Sequence, residues 1–515
     1  MKSKSQTECY VNTQYDVIVV GAGNGGMVAA ATCAKNGFKT LLLEKNNTPG
    51  GSASSFVRGR FEFEPSLHEL CAVGTKENPG TIYSLFDELG AKVNWEYDDY
   101  LFRAIVKGEN GYDARIKSGI EDFCDSMEKA VPGCRQSVHS LFDVIRQNEE
   151  ALAYNDKKNG NPNKLTMVSK YATFLRTAAH SAEALMTSLG IPKKAQNIIS
   201  TYWSYLGVPT DEMSALHFFL MVNGYIQEKA AVPPFRSHEL SVALIDVLLK
   251  NGGQIWYNSE VTEFIFNQKG KVCGVIANGQ KLYAKQVISN IIPNNVYNRS
   301  EYVFLPKKAI KLTNARSFGL SIYCAYIGLD CSMEELGIED YTVFVSDTPN
   351  PREQFKNLKN GNTYIVNCLN KILPNSSPEG TCTMFFSIPA LGSDFPKDLK
   401  PQDYKHFKSN LIRKYIEDYQ QLMHIDILSH IEEIEIATPA TFARYLGTPE
   451  GTIYGYHLSY WDSMISRFTA KQKNISIPGL TFCGGHTAQG DGFSTSYTSG
   501  RTAAQIAMKN IRKDQ

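Results

Sequence analysis

The stretch Tyr15-Asp16-Val17-Ile18-Val19-Val20-Gly21-Ala22-Gly23-Asn24-Gly25-Gly26 decides the fold. Val17 to Val20 is a run of β-branched apolar residues, the pattern of a strand buried on both faces of a parallel sheet. It breaks into Gly-x-Gly-x-x-Gly at Gly21, Gly23 and Gly26, and an Ala-rich helical segment follows over 27–36. Gly21 permits the tight turn, Gly23 lets the backbone approach a pyrophosphate, and Gly26 allows the helix to lie close against the strand. The amides at the start of that helix then face the phosphates, where the macrodipole favours negative charge. A second strand, 39–43, delivers Glu44 eighteen residues past Gly26, the position of a carboxylate that accepts hydrogen bonds from an adenosine ribose. Together these features predict a dinucleotide-binding unit.

Outward from that unit, the chain has 515 residues, enough for about three domains or for two that interleave. At 43% hydrophobic and 20% charged residues it can build an ordinary core and is not disordered. A net charge of +1 argues against nucleic-acid partners and a polybasic anchor. The eleven cysteines show no Cys-x-x-Cys and no zinc spacing, so free thiols in a reducing cytoplasm are expected, and no metal. The polar segment 1–13 lacks the apolar centre of a signal peptide. No apolar run is long enough to cross a bilayer. A cytoplasmic protein is expected, with peripheral contact to a membrane left open.

Past Glu44 the chain reads Lys45-Asn46-Asn47-Thr48-Pro49-Gly50-Gly51-Ser52-Ala53-Ser54-Ser55-Phe56. The Gly50-Gly51 pair can bring bare amides against more phosphate or against the rest of a cofactor; a plain loop is the alternative. The segment 61–65 alternates like a strand and leads into Ser66-Leu67-His68-Glu69-Leu70. This block resembles the N-terminal part of the phytoene desaturase, carotenoid isomerase and retinol saturase family of FAD enzymes. The sequence departs from that pattern after Phe63, where Glu64 meets Pro65 directly instead of an intervening Asp and Gly. The resemblance implies that Gly50, Gly51, Ser52 and Ser54 line the flavin along with Asn24 and Lys45. It implies too that His68 and Glu69 are candidates to face it as polar or proton-transferring groups.

Further along, 76–160 reads as amphipathic helices and 155–164 as a solvated loop. The segment 165–189 is mostly helical, with Lys170 and Arg176 among apolar residues, the pattern of a core helix or of an interfacial lid. The aromatic runs 201–206 and 214–220 fit either a core or an apolar tunnel. At Val232-Pro233-Pro234-Phe235-Arg236-Ser237-His238 the family usually has Pro followed by Gly-Gly-Met. If Arg236 and His238 face the cavity they call for a substrate with a polar end, and Arg suits a carboxylate. The strands and meander over 254–288, ending at Ser289-Asn290, also resemble the family, which places the Val261 backbone at the adenine and Asn290 in the cofactor site.

Strands at 317–329, 342–346, 363–368 and 381–388 suggest a mixed sheet flooring a substrate domain, and Tyr454 is a candidate substrate-facing residue. The segment 477–505 returns as a strand, a glycine break at Gly484-Gly485, the loop Gly490-Asp491-Gly492 and a helix. By resemblance Gly485 and Asp491 contact the ribityl and phosphate region, and the amides near Ser494 and Thr495 offset charge on reduced flavin. The expected fold is α/β. A discontinuous FAD-binding Rossmann-type domain (14–90, 215–300, 476–515), of glutathione reductase or flavin amine oxidase type, interleaves with a substrate domain of mixed sheet and helices (91–214, 301–475). With one glycine fingerprint there is no separate NAD(P)H domain. The expected reaction is desaturation or saturation of C–C bonds in a lipophilic substrate by hydride transfer at flavin N5, with an external electron donor or acceptor. A redox-neutral double-bond isomerase and a non-catalytic flavin-containing lipid carrier are the alternatives.

Overall fold

Val17, Ile18 and Val19 are wholly buried because β1 (Tyr15–Val20) lies between two parallel neighbours, β2 (Thr40–Leu43) and β10 (Gln280–Ser289). Each such side chain contributes about 1.5–3 kcal/mol of burial, so this strand anchors the first sheet. The structure is a computed structural model and describes residues 14–109, 111–158, 162–458, 460–463, 467, 475–487, 490 and 492–514. Its first sheet has the order β7 (Gln254–Trp256), β2, β1, β10, β9 (Val272–Ala277), β8 (Val261–Phe266). A further strand, β16 (Leu480–Phe482), pairs in parallel with the end of β10. β10 serves two neighbourhoods: Gln280–Tyr283 pairs antiparallel with β9, and Ala284–Ser289 runs parallel to β1. The predicted meander and the returning C-terminal strand thus meet on one strand.

The Asn24–Lys35 helix is buried over all residues but its last, since its alanines and glycines let neighbours approach on every side. It packs on the sheet, on the Arg236–Lys250 helix and on the C-terminal Phe493–Asp514 helix. The last contact is close enough that a Cβ on Gly500 would lie 2.2 Å from the Gly25 carbonyl oxygen.

The second sheet is seven-stranded, in the order β15 (Ile431–Ala437), β11 (Ser321–Leu329), β14 (Cys382–Ala390), β13 (Tyr364–Cys368), β12 (Thr342–Ser346), β5 (Tyr100–Val106), β6 (Tyr112–Lys117). Alternation along the strands assigns its faces. Ala325, Ile327, Met384, Phe386, Tyr364 and Val366 pack against Ile412, Ile416 and Tyr419 of the Pro401–Met423 helix. Cys324, Ile365 and Ser387 point the other way, toward the first sheet. The Ala215–Ile226 helix packs among the helices that cover this second sheet.

Four expectations change. The region 76–160 is not wholly helical: β5 and β6 form a hairpin at the sheet edge, where Leu101, Phe102 and Ala104 are buried and Arg103 pairs with Asp113 and Asp340. Residues 155–157 continue the Arg135–Lys157 helix. The segment 165–189 is three short helices, the first started by Asn163, whose side chain accepts from the Thr166 amide at 3.1 Å, and the third by Ser181. Among the described residues nine cysteines are free thiols, and Cys273 departs from expectation in being disulfide-bonded. Among the described residues no helix is long and apolar enough to cross a membrane.

Candidate functional site

The glycine turn supplies a cradle that no side chain could enter. Gly21 has φ +92°, and a Cβ on Gly26 would meet the Gly21 carbonyl oxygen at 1.9 Å, so the helix sits directly against the turn. A Cβ on Gly23 would strike the Asn290 side-chain nitrogen at 2.6 Å. The helix beginning at Asn24 has no side-chain cap and no acid in its first turn, so its leading amides remain available to an anion. Glu44 stands beside them, its carboxylate accepting from the Ala22 amide at 2.7 Å and the Asn46 amide at 2.8 Å. Burial raises its pKa while those two amides oppose the rise.

The second glycine pair closes over the first. Gly50 donates to the Ala22 carbonyl at 2.8 Å and bridges to Gly23, and both Gly50 and Gly51 take positive φ. Ser54 donates to the Gly51 carbonyl at 3.0 Å, which ties the loop down from below. Asn290 donates its amide to Val20 at 2.9 Å, and its side chain sits where Gly23, Gly25 and Gly484 converge. The carbonyl of Val261 accepts from Arg299 at 2.8 Å. On the C-terminal side, Ser494 donates to the Cys71 carbonyl at 2.8 Å, and Thr495 Oγ1 to Gly492 at 3.2 Å. Asp491 lies outside the described residues.

One cavity of about 660 Å³ joins these parts. Its walls include Gly21, Gly23, Asn24, Glu44, Lys45, Gly51, Ser52, Val261, Asn290, Gly485, Ser494 and Thr495, drawn from both ends of the chain. Gly26, Gly50 and Ser54 stand behind the wall and shape it. Four polar atoms on the lining residues, Asn24 Oδ1, Ser204 Oγ, Thr448 Oγ1 and His486 Nε2, are buried without a partner.

Beyond the glycines the cavity continues between the two sheets, and there it is mostly apolar. Leu206, Leu220, Leu320, Ile322, Ile365 and Tyr454 line it. His68 sits in this wall, with Nδ1 3.0 Å from the Tyr205 hydroxyl and Nε2 3.2 Å from the Ser387 hydroxyl. Burial pushes its pKa down to about 3, so the imidazole is neutral. Glu69 follows it into the cavity, and burial with Asp98 nearby holds its carboxyl well above the usual range. Tyr454 donates to the Ser204 carbonyl at 3.3 Å.

Arg236 and His238 are not on this wall. Arg236 is buried in a left-handed backbone conformation (φ +63°), pairs with Glu62 at 2.9 Å and donates to the Ser376 carbonyl. Glu64 explains the geometry: its carboxylate accepts from the Ser66, Leu67 and Ser237 amides and so fixes the start of the Arg236–Lys250 helix. The guanidinium is thereby turned toward the strand Phe61–Phe63 and away from the cavity. His238, half-buried two residues on, does not line it either. The carboxylate-ended substrate inferred from these two residues loses its basis.

Tyr205, His217 and Ser387 were not singled out as site residues. Tyr205 and His217 fall in the aromatic runs that fit a tunnel. Ser387 is a lone hydroxyl in the apolar run Met384–Ala390, the signal by which an interior strand announces a polar task.

These features define a Rossmann-type α/β fold with the architecture seen in the amine oxidases of solved structure. A family model described as an NAD(P)-binding Rossmann-like domain matches residues 19–89. An oxidoreductase from Methanosarcina mazei superposes with a TM-score of 0.65 at 16% identity, over 95% of this chain and 100% of that one. Cyclohexylamine oxidase from Brevibacterium oxydans superposes with a TM-score of 0.61 at 14% identity, over 97% and 99%.

In sequence the chain is similar to the retinol saturase, phytoene desaturase and carotenoid isomerase group that its motifs resemble. It is 25% identical to all-trans-retinol 13,14-reductase of Danio rerio, over 91% of this chain and 83% of the relative. It is 22% identical to a 4,4'-diapophytoene desaturase of Methylomonas over 97% and 96%, and 22% identical to chloroplastic prolycopene isomerase of Arabidopsis thaliana over 86% and 74%.

Proposed function

We propose that the chain binds one FAD and carries out desaturation or saturation of a C–C bond in a lipophilic substrate. The observation that carries the reading is the single cavity. One arm is a glycine-lined, anion-ready groove built from both chain ends, and it opens directly into an apolar chamber between the two sheets. The polar arm fits FAD: Glu44 stands at the ribose position, uncapped helix amides at the pyrophosphate, and unpartnered Asn24 and His486 atoms on the wall. A bound flavin would supply hydride exchange between its N5 and a substrate carbon.

The remaining chemistry belongs to side chains. The apolar walls hold the chain of the substrate and exclude water, which fixes the reacting carbon in one position. The neutral His68 ring accepts a hydrogen bond at one nitrogen and donates at the other, so Tyr205, His68 and Ser387 form a three-member path along which a proton can move to or from the wall. An external donor or acceptor of electrons is required in either direction. Exposed Leu165 and Val168, flanked by Lys164 and Lys170, support collection of the lipophile at a membrane surface.

Anaerobic mixing of the purified yellow protein, oxidised and then reduced, with carotenoids, retinoids, unsaturated fatty acids and enones tests the reading. Bleaching or return of the flavin band with one class supports it. Protein that holds no FAD after reconstitution refutes it. A redox-neutral isomerase would use the same cavity, a reading supported by the similarity to prolycopene isomerase. Product of unchanged mass under catalytic reductant distinguishes it.

A further inference from the structure

We infer that Asp330, Cys331 and His430 form a binding site for a zinc-class divalent cation at the β15 edge of the second sheet, apart from the cavity. One donor atom from each of the three side chains lies within 4.8 Å of the other two. None of the three residues lines the cavity. The backbone brings them together: β11 ends at Leu329, β15 begins at Ile431, and the Asp330 amide donates to the His430 carbonyl at 3.0 Å just past that pair. His430 Nδ1 sits 2.8 Å from Asp330 Oδ1. Cys331 is only 6% exposed, whereas the His430 and Asp330 side chains are 40% and 54% exposed. The thiol is thus the floor of a site whose rim, the imidazole and the carboxylate, is open to solvent.

The donor set names the metal. Sulfur and imidazole ligands suit zinc and its late first-row neighbours and select against Mg2+ and Ca2+, which take oxygen. Zinc bonds of about 2.0–2.3 Å put tetrahedral donors roughly 3.3–3.8 Å apart, so side-chain rotation by about 1 Å closes the present spacing while the backbone stays fixed. The surrounding charge has the sign a dication needs. The groups whose charge reaches the Cys331 thiol are Cys382, Asp330, Glu335 and Asp426, all of them acids. Glu335 and Asp426 also interact with His430. Arg60, the cation that senses Asp330, is held by both oxygens of Glu432 at 2.8 and 2.6 Å. Glu335 and Asp426 are engaged by the Ser332 amide and the Ser429 hydroxyl, which leaves the fourth position to water. On binding, the Zn–S bond forms, the S–H bond breaks and the proton goes to solvent, while the Asp330–His430 contact gives way to two bonds to the metal. Cysteine spacing could not announce such a site, because its two halves lie 100 residues apart.

Equilibrium dialysis of the purified full chain, cleared with a chelator, against Zn2+ provides the test, with bound metal counted by atomic emission. One zinc per chain is expected, with a Kd at or below about 1 μM. A roughly hundredfold excess of Mg2+ or Ca2+ should not displace it. X-ray absorption at the zinc edge should show one sulfur at about 2.3 Å among nitrogen and oxygen neighbours. His430→Gln and Cys331→Ser should each weaken binding at least about tenfold. If the cysteine variant does not fold, His430→Gln, at a half-exposed position, decides alone. Zinc held more weakly than this, zinc bound with no sulfur neighbour (an adventitious ion only), or a folded His430→Gln chain with wild-type affinity each overturns the inference. Flavin and turnover do not enter the readout, so the site stands or falls separately from the function proposed above.

Discussion

Gly500→Ala tests whether the two ends of the chain clasp one site. In an isolated helix the change gains up to about 1 kcal/mol of propensity. Here the new Cβ would lie 2.2 Å from the Gly25 oxygen and 2.9 Å from its carbonyl carbon, both backbone atoms that cannot rotate aside. Relieving the contact separates the Asn24–Lys35 and Phe493–Asp514 helices by roughly 1 Å, from a clash to van der Waals distance. Overpacking of this kind costs about 1–3 kcal/mol, with the upper end appropriate to a backbone obstacle. The net expectation is destabilisation by about 1–2 kcal/mol. Because Gly25 belongs to the anion cradle, FAD affinity should fall by about tenfold, equivalent to 1.4 kcal/mol. Thermal unfolding with and without added FAD, and the flavin-to-protein absorbance ratio after gel filtration, read both effects. Thr502→Ala, at an exposed position of the same helix, is the control. A Gly500→Ala protein that melts at or above wild type with undiminished flavin would refute the reasoning.

Glu44→Ala strips an acceptor from two amides, at about 1–3 kcal/mol for each one left unsatisfied, so the purified protein should emerge with little flavin. An unchanged absorbance ratio counts against the assignment. His68 is neutral in the fold and has a pKa of about 3 there against an ordinary value of 6.5. The unfolded chain therefore takes up a proton first as pH falls, and the stability tied to the neutral ring is present above pH 6.5 and lost toward pH 3. His68→Gln should flatten the pH dependence of unfolding free energy across that window by up to about 1.4 kcal/mol per pH unit, measured by urea titrations at several pH values. Parallel wild-type and variant profiles would contradict the buried-neutral state. Arg236→Met removes a buried guanidinium from Glu62 and the Ser376 carbonyl, and should lower stability by about 1–3 kcal/mol without altering substrate preference. A changed preference would mean that Arg236 reaches the substrate after all.

The parts of the site carried by local backbone geometry were legible in the sequence. A strand, three glycines at fixed spacing and Glu44 permit few arrangements, and the turn, the uncapped helix and the buried carboxylate follow from them. The β-meander and the interior strands of the second sheet were legible through their apolar runs for the same reason. Side-chain direction was not. Arg236 faces Glu62 because Glu64, a residue 173 positions earlier than Ser237, captures the helix start; no local pattern in 232–240 reports that. The meeting of His68 with Tyr205 and Ser387 joins segments 137 and 319 residues apart, so it exists only after both sheets have packed. The β5–β6 hairpin was lost among helices because Arg103 interrupts an otherwise apolar strand, and its partners Asp113 and Asp340 are visible only in the fold.

β10 hands its first half to the meander and its second half to β1 and β16. The order of synthesis acquires a meaning from this. A ribosome can release β1 and the glycine turn early, but their seam stays open until 480–514 has emerged and docked. Closure of the glycine cradle is therefore a late event of biogenesis, completed only when the last strand and helix have docked.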